Sequence, residues 1–191
     1  MRLVLASNSP RRQELLRKAG FEFEVHPSRV DEIPRRGEGG EDFACRLARE
    51  KARDVAGSLP PGRLVLGADT VVVIDGVILG KPSGPDDAVR MLRTLSGATH
   101  NVVTGVCLVR APDQIEALRH ETTIVEFRDL KEGEIQSYVA SGEPLDKAGA
   151  YAIQGLASKF VARINGCYFN VVGLPIPLVQ DMLKPFLQLN H

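Results

Sequence analysis

Two adjacent polar residues interrupt one of the most apolar stretches of the chain. Asp69 and Thr70 lie within LVLGADTVVVI, residues 64–74, which otherwise predicts a buried strand, and Gly67 permits a close backbone approach or a bulge beside them. A buried carboxylate needs partners, because burying an unpaired charge is costly. Asp69 can be a structural group bonded to backbone N–H groups or an arginine. Beside cations, it can instead bind Mg²⁺ and contribute to a phosphate-processing site.

Lys51 occupies an unusual position on a predicted helix, residues 41–57. On a helical projection it falls about 80° from Phe43, inside the apolar sector, whereas Arg46 and Arg53 belong to the polar face. A buried ammonium is costly unless it is paired, so Lys51 either extends its head into solvent or reaches a carboxylate or phosphate in a cleft. We favour the cleft, because the helix already has a full polar face for ordinary cations.

The beginning of the chain, LVLASNSPRR at residues 3–12, predicts a short buried strand, a polar turn and the start of a helix. Ser9 is a suitable N-cap, and the proline after it suits the first helical position. The free N–H groups at such a helix start, together with the Ser7 hydroxyl, favour an anion such as phosphate. Arg12 shares the apolar face of this helix. The alternative is a capped helix with two surface arginines whose stems lie along apolar surface.

Other charged residues lie beside predicted turns. Lys81 and Lys147 are close to glycine or proline, where a flexible cation could reach a ligand, and each can equally be a surface lysine. Glu32 and Asp31 follow the second predicted strand as candidate acids, although a solvated loop is the favoured interpretation for Asp31. The sequence contains no GxxxxGK[ST], GxGxxG or GxSxG motif, and its histidines and cysteines lack metal-ligand spacing. Covalent catalysis and the P-loop and Rossmann classes therefore lose their main support.

The composition indicates one domain, residues 1–191, or two lobes that share one sheet. Lys plus Arg and Asp plus Glu both number 24, so no overall charge attracts nucleic acid or an acidic membrane. The spacing of Cys45, Cys107 and Cys167 predicts free thiols in a reducing cytosol. No signal peptide or bilayer-spanning segment is predicted. We expect a soluble cytoplasmic protein without a membrane partner.

Helices alternate with strands along the chain, which predicts an α/β fold. Helices are expected over residues 10–19, 41–57, 85–95, 131–141 and 175–187, and strands over residues 3–5, 21–25, 63–79, 100–110 and 115–128. An Asp-Gly turn at residues 75–76 divides the long strand into a hairpin. The last third adds two strand candidates within residues 145–175. Because hairpins imply antiparallel pairs, we expect a mixed sheet.

Seven blocks in one order resemble the Maf family of nucleoside triphosphate pyrophosphatases over nearly the whole chain. They are ASNSPRRQELL, RLAREKA, LGADTVVV, GKP, MLRTLSGATHNVVTGV, YVASGEPLDKAGAYAIQG and NVVGLP. The segment DKAGAYAIQG is similar to the branch that hydrolyses dTTP and UTP, whereas the branch that acts on 7-methyl-GTP has glutamate in place of Gln154. The resemblance implies an elongated mixed α/β sheet with flanking helices and two lobes around a central cleft, similar to the inosine triphosphate pyrophosphatases.

The resemblance also implies roles for individual residues. Asp69 matches the family's proton acceptor, and the matches to positions that set substrate specificity are Arg11, Thr70 and Gln154. Matches to positions that bind phosphate or organise metal are Ser7, Arg12, Glu32, Lys51 and Lys81. The implied reaction is attack of water on the α-phosphorus, giving nucleoside monophosphate and pyrophosphate. We expect Lys51 and Lys81 to assist Asp69 in catalysis, and Asp69 and Glu32 to hold a divalent cation, Mg²⁺ or Mn²⁺.

Other functions stay open at this point. The same chemistry could act on CTP, a modified uridine triphosphate or a damaged purine, as a house-cleaning enzyme that removes non-standard nucleotides. The family has also been associated with septum formation, so a regulatory nucleotide- or nucleic-acid-binding module is an alternative from a different class. The balanced charge disfavours a stable nucleic-acid partner, and a module that only binds would not need Asp69. The sequence leaves a homodimer open.

Overall fold

A mixed sheet of seven strands forms the centre of the computed structural model, which describes residues 2–111 and 115–188. The ends of the predicted 1–191 domain lie outside these residues. The strands are β1 (Arg2–Leu5), β2 (Phe23–Val25), β3 (Arg63–Ile74), β4 (Val77–Leu79), β5 (Thr99–Arg110), β6 (Ile115–Phe127) and β7 (Val161–Asn165). The helices are α1 (Pro10–Lys18), α2 (Gly40–Ala56), α3 (Pro85–Leu95), α4 (Glu132–Ala140), α5 (Tyr168–Val172) and α6 (Ile176–Gln188), and short 3₁₀ helices span Glu143–Asp146, Ala148–Ala150 and Leu156–Phe160.

The sheet has the strand order β2-β1-β3-β5-β6-β7, and β4 pairs with β3. β1 runs parallel to β2 and β3, and the other pairs are antiparallel, so the predicted mixed α/β sheet is confirmed. β3 and β4 form the predicted hairpin, with left-handed φ values of 50° at Asp75 and 76° at Gly76, typical of a type I′ turn. β3, β5 and β6 are 12 to 13 residues long, which makes the sheet elongated along their direction.

One edge of β3 is interrupted near its middle. β1 pairs with this edge up to Leu66, and β4 pairs with it from Val72 onward, whereas the opposite edge pairs with β5 across the interruption. On this edge, none of the described strands pairs with the stretch that contains Asp69 and Thr70. Because successive side chains of a strand point to opposite faces, this gap allows residues from both faces of the sheet to line one cleft.

Helix α2 lies very close to the sheet because two glycines provide room for its backbone. A Cβ atom on Gly67 of β3 would lie 2.1 Å from the Ala48 carbonyl oxygen, and one on Gly105 of β5 would lie 2.3 Å from the Ala44 carbonyl oxygen. The close backbone approach that was one expectation for Gly67 is therefore confirmed. This approach brings Lys51, one turn beyond Ala48, over the part of β3 that follows Gly67.

The opposite face of β3 carries two apolar clusters that define the two lobes. Leu64 and Leu66 pack in a cluster with side chains of α1 and α6, whereas Val72 and Ile74 pack in a cluster with α3 and α4. Thr70 lies on β3 between these clusters. The predicted arrangement of two lobes around a central cleft is therefore present, and polar residues lie where the lobes meet.

The last third of the chain differs from its prediction. Two strands are predicted within residues 145–175, but the described chain has only one there, β7. Residues 145–155 instead form turns and short 3₁₀ helices. A continuous strand cannot form there, because Gly149 and Ala150 have left-handed φ values of 67° and 58°. The segment 160–175 supplies β7, and its residues 168–172 form α5.

The cysteines agree with a simpler expectation, that of free thiols. Cys45, Cys107 and Cys167 are free thiols. Burial raises the pKa of Cys107 to about 12, so this thiol is not a reactive nucleophile at neutral pH. None of the helices within residues 2–111 and 115–188 combines the length and apolar character that crossing a lipid bilayer requires.

The close approach of α2 leads to a stability prediction. Gly67→Ala places a methyl group against the α2 backbone, and we expect it to lower the free energy of unfolding by about 1–3 kcal/mol or more, because overpacking shifts the helix. Gly133→Ala in α4 is the matched control, because its new methyl group would meet no neighbouring part of the described chain within 4 Å. Equilibrium urea unfolding should show a loss for Gly67→Ala only; equal stability of the two variants would contradict the role of Gly67.

Candidate active site

A cavity of about 690 Å³ lies between the lobes, at the interrupted edge of β3. Its walls come mainly from the end of β1 and the start of α1, from residues 27–34, from α2, from the middle of β3, from the segment after β4 and from residues 146–154 and 171–173. Every residue to which the family resemblance assigned a catalytic, substrate or metal role lines this cavity: Ser7, Arg11, Arg12, Glu32, Lys51, Asp69, Thr70, Lys81 and Gln154. The structure thus brings the candidates together, and their individual roles stay predictions.

A continuous chain of charged groups crosses one side of the cavity. Lys51 Nζ donates to Asp69 Oδ1 and to Glu32 Oε1, at 2.6 Å each, and Lys81 Nζ donates to Glu32 Oε2 at 2.7 Å. Lys51 and Asp69 are both buried. Lys51 therefore reaches carboxylates inside a cleft, the option that its place on α2 favoured, and its head does not extend into solvent.

The two carboxylates of this chain differ in their protonation behaviour. Burial raises the pKa of Asp69 above its ordinary value, although the neighbouring charges of Lys51 and Arg12 act in the opposite direction. Partial burial would also raise the pKa of Glu32, but the hydrogen bonds from Lys51 and Lys81 outweigh burial and lower it to about 2. The Asp69 carboxylate is thus a stronger base than an exposed aspartate, whereas the Glu32 carboxylate stays ionised down to a pH of about 2.

On the second side of the cavity, the Arg12 side chain links three other residues by hydrogen bonds. Its guanidinium donates to the Gly173 carbonyl at 2.8 Å, to Thr70 Oγ1 at 3.0 Å and to Ser7 Oγ at 3.3 Å. Burial lowers the pKa of Arg12, while Asp69 and Glu32 oppose this effect, and an arginine remains charged at neutral pH. The inward orientation predicted from the helical projection is confirmed. Ser9 caps α1 as expected, because its side chain accepts from the Arg12 N–H.

Arg11 faces the other lobe across the mouth of the cavity. Its guanidinium lies 3.7 Å from Asp146 Oδ2, and the Lys147 ammonium is paired with the same carboxylate. The Asp146 side chain is 70% exposed, so this ion pair is weak and a bound ligand can replace it. Lys147 lines the cavity, in agreement with the prediction that it could reach a ligand. Asp31 is exposed and does not belong to the lining described, in agreement with the solvated loop that was favoured for it.

Sequence reasoning missed a buried polar network behind Thr70. Thr70 Oγ1 lies 2.9 Å from Thr104 Oγ1, and Thr104 donates to the Asn170 carbonyl at 3.3 Å. The Asn170 side chain donates to the Val102 carbonyl and to Thr123 Oγ1. A signal was present, because Thr104 interrupts the apolar strand β5 as Thr70 interrupts β3. Only the register, which pairs Thr70 with Thr104, shows that the two interruptions meet.

The family model for Maf-like proteins matches residues 2–186. The chain belongs to the Maf family. It is 52% identical over 184 residues to a dTTP/UTP pyrophosphatase of Koribacter versatilis, with 96% of this chain and 94% of the relative covered. It is 53% identical over 185 residues to a dTTP/UTP pyrophosphatase of Moorella thermoacetica, with 97% and 95% covered. The resemblance to the dTTP/UTP branch is confirmed by these relatives.

Two solved structures show weaker similarity. A nucleoside-triphosphatase, also named dITP/XTP pyrophosphatase, from Mycobacterium abscessus has a TM-score of 0.43 and 19% identity, covering 66% of this chain and 74% of that chain. A HAM1 protein from Coxiella burnetii has a TM-score of 0.45 and 18% identity, covering 66% and 73%. Both TM-scores are below 0.5, so the architecture of this Maf protein follows from its own strand order and pairing.

The acidic residues of this Maf protein fit one kind of metal site. Within residues 2–111 and 115–188, no three His, Cys, Asp or Glu side chains are grouped to hold an ion by themselves. Asp69 and Glu32, however, both reach the same ammonium group, so their oxygens converge on one region of the cavity. Mg²⁺ commonly takes one or two carboxylates and completes its coordination with water and substrate phosphates. These two residues fit that mode, and a site built from protein ligands alone does not fit.

The lowered pKa of Glu32 leads to a pH prediction. A carboxyl group whose pKa is lower in the folded protein stabilises the fold above its unfolded pKa, and this contribution is lost as the pH falls toward the folded pKa. We therefore expect Glu32→Gln to be less stable than the parent protein at pH 7, and this difference should shrink as the pH falls from about 4.5 to about 2. Urea unfolding across this range measures it.

Asp31→Asn is the control for this experiment, since Asp31 is the neighbouring exposed carboxylate. Its stability should follow that of the parent protein at every pH. A Glu32→Gln difference that is constant with pH would contradict the ionic role of Glu32.

Proposed function

We propose that this chain hydrolyses dTTP and UTP to the nucleoside monophosphate and pyrophosphate. The observation that carries this proposal is the buried pair of Asp69 and Lys51, placed in a cleft beside Arg12 and Lys81. A buried carboxylate with several cations beside it is suited to hydrolysing an anhydride between phosphates. The names of the relatives at 52% and 53% identity support the pyrimidine substrates.

The cations of the cavity bind and orient the triphosphate. Arg12, Lys51 and Lys81 project from three different elements, so together they can contact several phosphate groups of one extended chain. The start of α1 adds backbone N–H groups and the positive end of its dipole. Negative charge that develops on the leaving pyrophosphate is stabilised by these preorganised groups. Arg11 can exchange its weak pairing with Asp146 for the substrate.

Asp69 accepts the proton of the attacking water. Its raised pKa makes the carboxylate a better base than an exposed aspartate, while the Lys51 ammonium at 2.6 Å favours the ionised form that a base needs. The surrounding apolar strand holds the side chain in place. Burial of the Asp69 carboxylate is therefore unfavourable for folding, but it makes this group a better proton acceptor.

Asp69 and Glu32 are the residues that would hold a divalent cation. When bound, such a cation supplies charge neutralisation for the phosphates and lowers the pKa of water in its coordination shell. Lys51 contacts both carboxylates and keeps them close together. Lys81 holds the second oxygen of Glu32 and so limits its rotation.

Gln154 reads the nucleobase. It is exposed at the cavity wall, and its amide offers a donor and an acceptor to the O4 and N3–H edge of uracil or thymine. Cytosine presents the opposite pattern of donor and acceptor at this edge. Modified uridine triphosphates that keep the edge remain candidate substrates, and their destruction would be a house-cleaning activity.

The first test of this function removes the proposed base. We expect Asp69→Asn to lower pyrophosphate release from dTTP and UTP by about 10²–10⁴-fold, the range for losing a general base. Asp75→Asn in the exposed β3–β4 turn is the control, because it makes the same change outside the cavity and should keep activity. Circular dichroism checks that both variants are folded. Near-normal pyrophosphate release by Asp69→Asn would refute the assignment of Asp69 as the base. Tight nucleotide binding without turnover, unchanged in Asp69→Asn, would instead favour a regulatory binding role.

The second test addresses the substrate. A panel of dTTP, UTP, CTP, modified uridine triphosphates and purine triphosphates is scored for pyrophosphate against single phosphate. We expect Gln154→Glu to lower kcat/KM for dTTP and UTP by roughly 10- to 200-fold, since an ionised glutamate cannot donate to O4. Gln180→Glu on α6, outside the cavity lining, should leave the panel unchanged. An unaltered preference in Gln154→Glu would show that another residue reads the base.

A further inference from the structure

Gln154 belongs to a tight turn with little regular structure of its own. The Gly155 N–H donates to the Ala152 carbonyl at 3.0 Å, which closes a four-residue turn with Gln154 in its third position. The segment before the turn forms a short 3₁₀ helix, and the segment after it begins another. The position of the Gln154 amide in the cavity therefore depends on what holds the two ends of this turn.

One pair of side chains holds both ends. Tyr138 Oη accepts from the Ala152 N–H at 3.3 Å, where the turn begins, and Glu143 Oε2 accepts from the Leu156 N–H at 3.0 Å, just after the turn ends. Tyr138 Oη in turn donates to Glu143 Oε1 at 2.9 Å. The tyrosine, the glutamate and the turn thus form one closed hydrogen-bonded unit.

Gly155 leaves room for the contact between the Glu143 carboxylate and the turn. A Cβ atom on Gly155 would lie 2.2 Å from Glu143 Oε1, so any larger residue there would make the carboxylate shift away from its present position on the turn. The backbone of Glu143 also takes part, because its carbonyl accepts from Lys147 Nζ at 3.1 Å. Glu143 therefore contacts both cavity-lining segments that carry Lys147 and Gln154.

Tyr138 is a rigid support for this unit. Its ring is buried on α4 and packs edge-on against Phe160, with ring centroids 5.3 Å apart. Burial raises the pKa of Tyr138, and the hydrogen bond to Glu143 raises it further, so the phenol keeps the proton that it donates. Neither Tyr138 nor Glu143 belongs to the cavity lining described, so neither is placed to touch a nucleotide.

We propose that Tyr138 and Glu143 are positioning residues that set nucleobase selectivity by holding the turn that carries Gln154. This inference rests on the proposed function, in which Gln154 reads the base. The two oxygens of Glu143 accept from Tyr138 and from the Leu156 N–H at once. A glutamine has one acceptor oxygen, so it keeps the bond from Leu156 only by turning its amide N–H₂ group toward Tyr138, whose hydroxyl proton then loses this acceptor.

The test compares UTP with CTP, whose bases differ in the donor and acceptor pattern that Gln154 faces. Equilibrium binding uses the α,β-methylene analogues of both nucleotides, because their scissile bond is blocked. For Glu143→Gln and for Tyr138→Phe, we expect the preference for the UTP analogue over the CTP analogue to fall about tenfold, the scale of one misplaced hydrogen bond. With UTP as substrate, KM should rise while kcat is retained, since the groups around Asp69 are unchanged.

Matched controls separate positioning from general stability. Glu132→Gln removes an exposed α4 carboxylate that pairs with Arg93, and Tyr168→Phe removes an exposed phenol on α5. Both controls should keep the selectivity of the parent protein. If Glu143→Gln lowers the unfolding midpoint while the UTP to CTP preference stays unchanged, or if binding of both analogues weakens equally, the inference is wrong.

Failure of the positioning role of Tyr138 and Glu143 can be distinguished from failure of the proposed function. A parent protein that binds the UTP analogue selectively but releases no pyrophosphate from UTP would end the proposed function, and the loss of selectivity in Glu143→Gln would still support the positioning role. A parent protein that hydrolyses both nucleotides without preference would overturn the inference and leave the hydrolysis intact.

Discussion

The buried contact between Lys51 and Asp69 is the interaction on which the rest of this site depends. It joins α2 to β3 at 2.6 Å, and it exists because Gly67 lets the helix backbone approach the strand. A buried ion pair contributes little to stability, because the loss of hydration offsets most of the attraction between the charges. Stability alone therefore does not account for its presence in an otherwise apolar layer, and the fold supplies the close packing that keeps both charges in place.

The interrupted edge of β3 explains how one small cavity gathers residues from distant parts of the chain. Asp69 points toward α2, and Thr70 points toward the face where Arg12 and Thr104 lie. In a sheet with both edges paired, these two neighbours would be separated by the backbone layer. Because β1 ends before them and β4 begins after them, both reach the same space, and a ligand there contacts both lobes of the protein.

Several features of the site were predictable because their cause is local. The conflict between the charge of Lys51 and its apolar helix sector predicted a partner in a cleft, and the Ser9 cap with Arg12 on the apolar face predicted an inward guanidinium. The Asp75–Gly76 hairpin follows from its turn residues. The strand candidate within residues 145–155 was wrong, since a short apolar run does not reveal the left-handed backbone at Ala150.

By itself, the sequence determined the family, the mixed α/β class, most of the helices and strands, and a set of candidate site residues that line the cavity. Only the tertiary structure decided which of them touch: that Lys51 pairs with both Asp69 and Glu32, that Thr70 meets Thr104, and that Tyr138 and Glu143 hold the turn of Gln154. The physical reason is that periodicity and capping act over a few residues. Strand register, the break in an edge and the convergence of loops depend on contacts between segments that are far apart in the chain.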